Sequence, residues 1–148
     1  MAGEDAVPTF VLDAFPLMAV LGGEPGAAAV IQRLKQARDG RLQLWMCVVN
    51  LGEVIYNFED RYGTEAADLM LQSLSAAPIA LADADLSLTR EAARLKARAR
   101  RGRQPLSYAD AFAAALTQQL DATLITGDRE FEAFEDLVKI EWLTTEGR

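Results

Sequence analysis

The chain has 148 residues, of which 51% are hydrophobic and 25% charged, a composition typical of a globular domain and not of a disordered chain. The longest apolar runs, Leu44–Val49 and Ala111–Leu116, have six residues each, far below the roughly 18 of a membrane span. The first residues carry no leader pattern, and the only cysteine, Cys47, lies in an apolar run. We therefore expect one domain over residues 1–148 in a reducing cytoplasm, with no membrane segment.

Two features of the composition restrict the chemistry. The chain contains no histidine, which excludes imidazole acid–base catalysis and zinc sites built on histidine. Any metal must be held by oxygen ligands, which suit Mg²⁺ or Mn²⁺. The net charge is −7, yet the segment Arg90–Arg103 carries seven basic residues and one acidic residue. We call this stretch the basic segment; it is either a solvated helix face or a surface that follows a phosphate backbone.

Apolar runs and amphipathic stretches alternate along the chain and predict strands and helices in turn. In chain order the predicted elements are strand Phe10–Leu12, helices Pro16–Leu21 and Gly26–Arg38, strand Leu44–Cys47, helices Val49–Glu59 and Thr64–Ala77, strand Pro78–Leu81, helices Asp83–Arg101 and Ser107–Leu120, strand Ala122–Thr126, a short helix after Asp128, and strand Lys139–Trp142. No two strands are joined by a tight hairpin turn. This order predicts a single α/β sandwich with a parallel sheet covered by helices on both faces.

Two carboxylates directly follow predicted strands. Asp13 comes after the first strand, and Asp128 lies two residues past the fourth. Ligands of open α/β sheets bind at the carboxyl ends of strands, so both residues lie where chemistry is expected. Each could instead cap the following helix or form an Asx turn.

Two further carboxylates lie within predicted helices. Glu53 is in mid-helix, on the face that carries Asn50, Tyr56 and Asn57, and Asp110 is in the first turn of an alanine-rich helix. The alternatives are an ordinary solvated position for Glu53 and a favourable helix-dipole interaction for Asp110. If all four carboxylates converge, each pair about 5 Å apart repels by roughly 3 kcal/mol at an effective dielectric near 20. Divalent cations would neutralise that repulsion, so convergence predicts a metal site.

Four segments with these carboxylates resemble the acidic motifs of PIN-domain ribonucleases, most closely the VapC-type toxins of toxin–antitoxin pairs. They are Val11–Ala14, Val49–Val54, Leu106–Ala111 and Leu124–Arg129, in the family's order and over almost the whole chain. The resemblance implies a PIN-like three-layer α/β/α sandwich whose central parallel sheet has the strand order 3-2-1-4-5.

The resemblance also implies a role for each site residue. Asp13 and Asp110 would be the principal metal ligands, Glu53 and Asp128 would complete the site, and Thr126 would support it with its hydroxyl. One position departs from the family, because Phe15 stands where many PIN domains have a small hydroxyl residue.

The activity that the resemblance implies is Mg²⁺- or Mn²⁺-dependent cleavage of RNA phosphodiesters by a metal-activated water. The implied partners are a second copy of the chain, as a homodimer, and a small antitoxin protein. The basic side chains expected to guide the RNA backbone are Arg94, Arg98, Arg101 and Arg129.

Two other functions remain open at this point. A PIN fold without catalysis could act as a scaffold or binding module. A phosphatase of the haloacid-dehalogenase type also begins with an aspartate at a strand end, but it needs a second aspartate where Phe15 stands.

Overall fold

The computed structural model describes residues 6–144 of the chain. Its elements alternate between strands and helices in the predicted order. They are β1 (Thr9–Leu12), α1 (Ala14–Gly22), α2 (Ala27–Arg38), β2 (Gln43–Cys47), α3 (Val48–Tyr62), α4 (Thr64–Ser75), β3 (Ile79–Ala82), α5 (Leu86–Arg101), α6 (Tyr108–Gln119), β4 (Thr123–Thr126), a 3₁₀ helix (Arg129–Phe134) and β5 (Lys139–Trp142).

The five strands form one parallel sheet in the order β3-β2-β1-β4-β5, which confirms the predicted α/β fold and strand order. In the central strand, Leu12 pairs with Met46 on one side and Ile125 on the other. From β1 the chain adds β2 and β3 on one side of the sheet and then β4 and β5 on the other side. The carboxyl ends of β1 and β4 therefore form the topological switch point, where open α/β sheets bind ligands. Asp13 follows β1 directly at this edge.

Side chains alternate across the sheet and produce two separate cores. Val11 and Leu124 face a core shared with α5, α6 and the 3₁₀ helix. Leu12, Met46 and Ile125 face a second core shared with α1, α2, α3 and α4. The result is the predicted three-layer arrangement, with the sheet between two layers of helices.

Helix α6 is the most buried helix described, with every residue from Asp110 to Thr117 inside the protein. Four alanines in this stretch allow α5 and α3 to pack closely on it. The amide Nδ2 of Asn50 on α3 donates a hydrogen bond to the carbonyl of Ala109 at 2.9 Å. This contact fixes the start of α6 against α3, next to Asp110.

Capping contacts move some element ends away from the predicted positions. Helix α5 begins at Leu86 and not at Asp83, because the Asp85 side chain accepts the backbone N–H of Leu88 at 2.9 Å. Helix α3 runs to Tyr62, three residues beyond the prediction, and ends before Gly63. Across residues 6–144, no single helix is long and apolar enough to cross a membrane, and the one pair that passes together, α1 with α2, is bent by 109°.

Candidate active site

Asp13 is buried at the end of β1, with 2% of its surface exposed. Its Oδ2 accepts a hydrogen bond from the Thr126 hydroxyl at 2.8 Å, whereas its Oδ1 has no hydrogen-bond partner among the described residues. Asp13 occupies the N-cap position of α1, but its side chain makes no capping hydrogen bond. The capping alternative therefore does not explain why a carboxylate is buried here.

Thr126, fully buried at the end of β4, connects Asp13 to the loop that follows. Its hydroxyl donates to Asp13 and accepts the backbone N–H of Asp128 at 3.0 Å. Asp128 also caps the 3₁₀ helix, since its Oδ1 accepts the backbone N–H of Glu130 at 3.0 Å. Asp128 therefore caps the 3₁₀ helix and also lies among the carboxylates of the site.

Asp110 lies in the first turn of α6 and is 6% exposed. The Ser107 hydroxyl caps the helix by accepting the Asp110 backbone N–H at 3.0 Å. Burial, followed by the negative charge of Asp128, raises the pKa of Asp110 to about 7. Carboxylate oxygens of Asp110, Asp128 and Glu130 lie within 4.8 Å of one another, close enough to share one cation.

Helix α3 contributes Glu53 and Asn50, which are three residues apart and therefore on one helix face. The Oε1 atom of Glu53 and the Oδ1 atom of Asn50 are buried without a hydrogen-bond partner in the described part of the chain. Burial and the charge of Asp128 raise the pKa of Glu53. Within residues 6–144, no protein donor satisfies either oxygen.

The other three predicted carboxylates are close enough to Asp13 to act on its pKa. Burial raises this pKa well above its usual value, the Thr126 hydrogen bond lowers it, and the charges of Asp110, Asp128 and Glu53 raise it again. The structure therefore brings all four residues to one edge of the sheet and adds Glu130, which the sequence analysis missed. We call Asp13, Glu53, Asp110, Asp128 and Glu130 the acidic cluster.

The sequence analysis assigned no role to two residues of the site, Glu130 and Asn50. Glu130 could have been suspected from its spacing, because Asp128 and Glu130 are two acidic residues flanking one arginine in a loop. Asn50 could have been suspected as a polar residue three positions before Glu53 in an otherwise apolar stretch. Neither signal distinguishes a ligand from a surface residue without knowledge of burial.

The donor set fits a hard divalent cation. Two carboxylate oxygens and one amide oxygen are buried without partners, on Asp13, Glu53 and Asn50, although an unsatisfied buried polar atom normally costs about 1–3 kcal/mol. Oxygen atoms of this kind are the ligands that Mg²⁺ and Mn²⁺ prefer. Asp110, Asp128 and Glu130 supply further carboxylates, which lie within 4.8 Å of one another.

Phe15 occupies the position that departs from the family pattern, and its ring packs on Gly127. A Cβ atom built on Gly127 would lie 2.4 Å from Cε1 and 2.5 Å from Cζ of the ring. The close approach of Phe15 to the loop between Thr126 and Asp128 is therefore possible only because residue 127 is glycine. Apolar packing of the Phe15 ring therefore forms this part of the site.

Most of the arginines expected to guide RNA are engaged with protein groups. Arg94 pairs with Glu91 at 2.5 Å, and Arg98 pairs with Asp136 at 2.9 Å. Arg129 pairs with Glu132 at 3.1 Å and stacks 4.4 Å from the centre of the Trp142 ring. Arg101 is exposed and makes no ion pair within residues 6–144. These are surface pairs of small energy, so the arginines can exchange partners.

Comparison with solved structures gives the same architecture with low sequence identity. VapBC2 from Rickettsia felis, bound to a DNA fragment from its promoter, aligns with a TM-score of 0.75 and 14% identity over 92% of this chain and 99% of that chain. DNA-bound VapBC from Salmonella typhimurium aligns with a TM-score of 0.72 and 18% identity over 91% of this chain and 98% of that chain. VapC20 from Mycobacterium tuberculosis is a toxin that cleaves the sarcin–ricin loop. It aligns with a TM-score of 0.67 and 17% identity over 84% of this chain and 93% of that chain.

A comparison with curated proteins finds no match. The sequence profile of the PIN domain matches residues 10–137, a range that begins in β1, ends just before β5 and includes every member of the acidic cluster. With the strand order 3-2-1-4-5 and the carboxylates at the switch point, these findings show that the chain belongs to the PIN-domain family.

Proposed function

We propose that this chain is a single-domain, divalent-metal-dependent endoribonuclease and the toxin of a VapC-type toxin–antitoxin pair. The observation that carries the proposal is the pair of buried, partnerless carboxylate oxygens on Asp13 and Glu53 at the switch point of a PIN fold. PIN domains as a family are nucleases, and similar folds occur in VapBC proteins, one of them a toxin that cleaves the sarcin–ricin loop. We propose the cytoplasm as its location.

Asp13 and Asp110 are the proposed principal metal ligands, with Glu53 and Asp128 completing the site directly or through water. Glu130 is a further candidate because its carboxylate lies beside those of Asp110 and Asp128. When bound, Mg²⁺ or Mn²⁺ supplies Lewis acidity, which activates a water and offsets the charge of a phosphodiester under attack.

The residues of the chain prepare this chemistry in three ways. Thr126 holds the Asp13 carboxylate in one orientation with its hydroxyl and leaves the buried Oδ1 without a hydrogen-bond partner among the described residues. Asn50 holds the start of α6, and with it Asp110, against α3. Asp110 must lose its proton to act as a ligand, and a pKa near 7 makes this step sensitive to pH around neutrality.

An RNA cleavage assay tests the proposed activity. The wild-type chain should cleave structured RNA with Mg²⁺ or Mn²⁺, leaving 5′-phosphate ends, and should stop in EDTA. Asp13→Asn and Asp110→Asn should each lower cleavage by at least about 100-fold, as expected when a group that positions the reacting atoms is lost. Asp68→Asn, which removes an exposed carboxylate on α4, is the matched control and should cleave normally.

Two results would contradict the assignment. Equal cleavage in EDTA, or by both site variants, would show that the acidic cluster does not catalyse the reaction. Binding of RNA or protein without cleavage of any RNA would instead favour a PIN scaffold.

The antitoxin partner is supported by an apolar groove as well as by the VapBC complexes among similar folds. A cavity of about 290 Å³ lies between α1, α3, α4 and strand β3, which is at the edge of the sheet. Leu71 and Leu81 line this cavity and are 39% and 51% exposed. Such a groove suits the apolar face of an amphipathic helix.

Binding measurements test the partner separately from the activity. The product of a small reading frame next to this gene should bind the purified chain and inhibit cleavage. Leu81→Lys should weaken this binding at least tenfold and leave RNA cleavage unchanged, whereas Leu86→Lys, an exposed leucine outside the cavity, should leave both unchanged. Sedimentation of the chain alone tests the proposed homodimer.

A further inference from the structure

A shallow groove of about 430 Å³ runs along the outside of α5 to the first turn of α6. Its lining consists of Ala93, Lys96, Ala97 and Arg100 from α5 and Tyr108 from α6. The α5 residues have the spacing of one helix face, beside the buried face of Ala92, Leu95 and Ala99. The two alanines are exposed and small, so they leave open space between the longer side chains.

Tyr108 forms a fixed aromatic surface at one end of this groove. Its ring packs edge-to-face on Phe112, with the ring centres 5.0 Å apart and the planes at 61°. Phe112 is 4% exposed, whereas Tyr108 is 45% exposed although it is a large aromatic residue. The packing holds the ring in place and leaves nearly half of the side chain open to a ligand.

Positive charge lines the same groove. Arg100 is exposed and makes no ion pair within residues 6–144, unlike Arg94 and Arg98 on the same helix. Lys96 donates a hydrogen bond to the carbonyl of Leu106, so it braces the segment that leads into α6. The basic segment that contains both residues has a local charge of +6 in a chain of net charge −7. An anionic ligand is therefore favoured here and disfavoured over most of the remaining surface.

We infer that this groove binds single-stranded RNA beside the cleavage site, with a base stacked on Tyr108 and a flanking phosphate on Arg100. An aromatic platform next to cations along a groove is the arrangement that holds single strands without reading their sequence. Base stacking requires an unpaired base, so the groove selects loops over duplexes. The inference rests on the proposed ribonuclease function and adds to it a substrate contact that lies outside the acidic cluster.

The groove and the acidic cluster flank the same helix start. Tyr108 and Asp110 are two residues apart in the first turn of α6, which separates them by about 3 Å along the helix axis and by about 200° around it. They therefore lie on different sides of the helix. An RNA strand that passes over the beginning of α6 can contact Tyr108 with one nucleotide and present a nearby phosphodiester to the carboxylates.

Fluorescence anisotropy with a labelled 12-nucleotide single-stranded RNA, in EDTA, measures this contact separately from cleavage. Tyr108→Ala and Tyr108→Leu should weaken binding by roughly 5- to 100-fold, the range expected for one stacked base. Tyr108→Phe should bind like the wild type, because stacking needs the ring and not the hydroxyl. The leucine variant retains an apolar side chain against Phe112, and thermal melting checks that each variant is folded.

The salt dependence of binding tests the arginine. Arg100→Ala should reduce the slope of log affinity against log salt by about 0.7, the value for one phosphate contact on a single strand, and Arg100→Lys should retain the slope. Arg38→Ala, which removes an exposed arginine on α2 in the opposite helical layer, is the matched control. The same RNA annealed into a duplex should bind more weakly than the single strand.

The outcomes separate this inference from the proposed catalysis. Cleavage by the wild type with unchanged binding by Tyr108→Ala and Arg100→Ala would overturn the groove and leave the ribonuclease intact. Binding that depends on Tyr108, in a protein that cleaves no RNA, would support the groove and reject the catalysis. Failure of the wild type to bind single strands, or equal binding of the duplex, would also overturn the inference.

Discussion

The Thr126 side chain organises two of the acidic residues with one hydroxyl group. It donates to Asp13 Oδ2 and accepts the backbone N–H of Asp128, so the ends of β1 and β4 are joined through a buried oxygen atom. The hydrogen bond also lowers the pKa of Asp13 and so opposes part of the effect of burial. The hydroxyl therefore contributes to both the position and the charge of the carboxylate.

Replacing this hydroxyl should affect stability and metal affinity together. Thr126→Val keeps the shape of the side chain but leaves the Asp128 N–H and Asp13 Oδ2 unpaired, at a cost of about 1–3 kcal/mol in the free energy of unfolding. Mn²⁺ affinity, measured by calorimetry, should fall about 10- to 100-fold because the ligand loses its supporting partner. Thr126→Ser keeps the hydroxyl and should retain most of the affinity; an equal loss in both variants would contradict this role.

The contact between Phe15 and Gly127 is a second feature at residue scale. Gly127→Ala should lower the free energy of unfolding by about 1–3 kcal/mol, since the new methyl group meets the Phe15 ring at 2.4 Å. The double variant Phe15→Ala/Gly127→Ala should lose less than the sum of the two single variants, because the ring that clashes is gone. Urea unfolding measures all three, and additive losses would show that the ring does not restrict residue 127.

At the scale of elements, α6 carries both sides of the proposed site. Its first turn holds Asp110 for the acidic cluster and Tyr108 for the RNA groove, and the Ser107 hydroxyl caps it. The same hydroxyl group lowers the pKa of Asp110 and partly offsets the effect of burial. Loss of the cap should therefore disturb the helix end and the carboxylate together.

Ser107→Ala should destabilise the protein by about 1 kcal/mol, as the loss of an N-cap does in other helices. It should also raise the pKa of Asp110 further, so that Mn²⁺ binding requires a higher pH. Ser107→Thr retains a capping hydroxyl and serves as the control. Calorimetric Mn²⁺ titrations between pH 6 and 8 measure the shift, and an unchanged pH profile in Ser107→Ala would exclude this contribution.

Long amphipathic elements could be predicted from periodicity, but their ends could not. The stripe of apolar residues in α3 and the strand runs of β2 and β4 are visible in the sequence. The sequence predicts a helix that begins at Asp83, whereas α5 begins at Leu86, after the Asp85 cap. Which side chain caps a helix depends on local hydrogen-bond geometry, so apolar periodicity alone does not determine the first residue of the helix.

At the scale of the whole molecule, the acidic cluster costs stability when it has no cation. The pKa values of Asp13, Glu53 and Asp110 are all raised, with burial as the first cause in each. The folded, metal-free protein therefore holds protons that the unfolded chain has already released. Neighbouring charges add to the effect at all three sites.

The free energy of unfolding in EDTA should consequently fall as the pH rises. Asp110 keeps its proton in the folded state up to about pH 7 but loses it near pH 4 when unfolded, so the folded state binds more protons between these values. One such proton changes the stability by up to about 1.4 kcal/mol per pH unit. Urea unfolding from pH 5 to 8 measures this decline.

Substitutions in the acidic cluster and the addition of metal test whether these carboxylates cause the decline in stability with pH. Asp110→Asn should reduce the decline and raise the stability at pH 8, whereas Asp68→Asn should leave both unchanged. Mg²⁺ or Mn²⁺ should restore stability at pH 8, because a ligand that binds only the folded state stabilises it. Stability that rises with pH in EDTA would show that burial and neighbouring charges do not raise the pKa values of these carboxylates.

The sequence by itself determined the alternation of strands and helices, the parallel sheet and the positions of Asp13 and Asp128 after their strands, because apolar periodicity and strand ends are local properties of the chain. Only the tertiary structure decided that Glu130 joins the acidic cluster and that Asn50 is buried with an unpaired amide oxygen. It also decided that Phe15 packs on Gly127, and that Arg100 and Tyr108 line one groove while Arg94 and Arg98 pair with acids. These contacts join residues from different elements or depend on burial. Burial follows from how helices pack on the sheet, and that information is distributed over the whole chain.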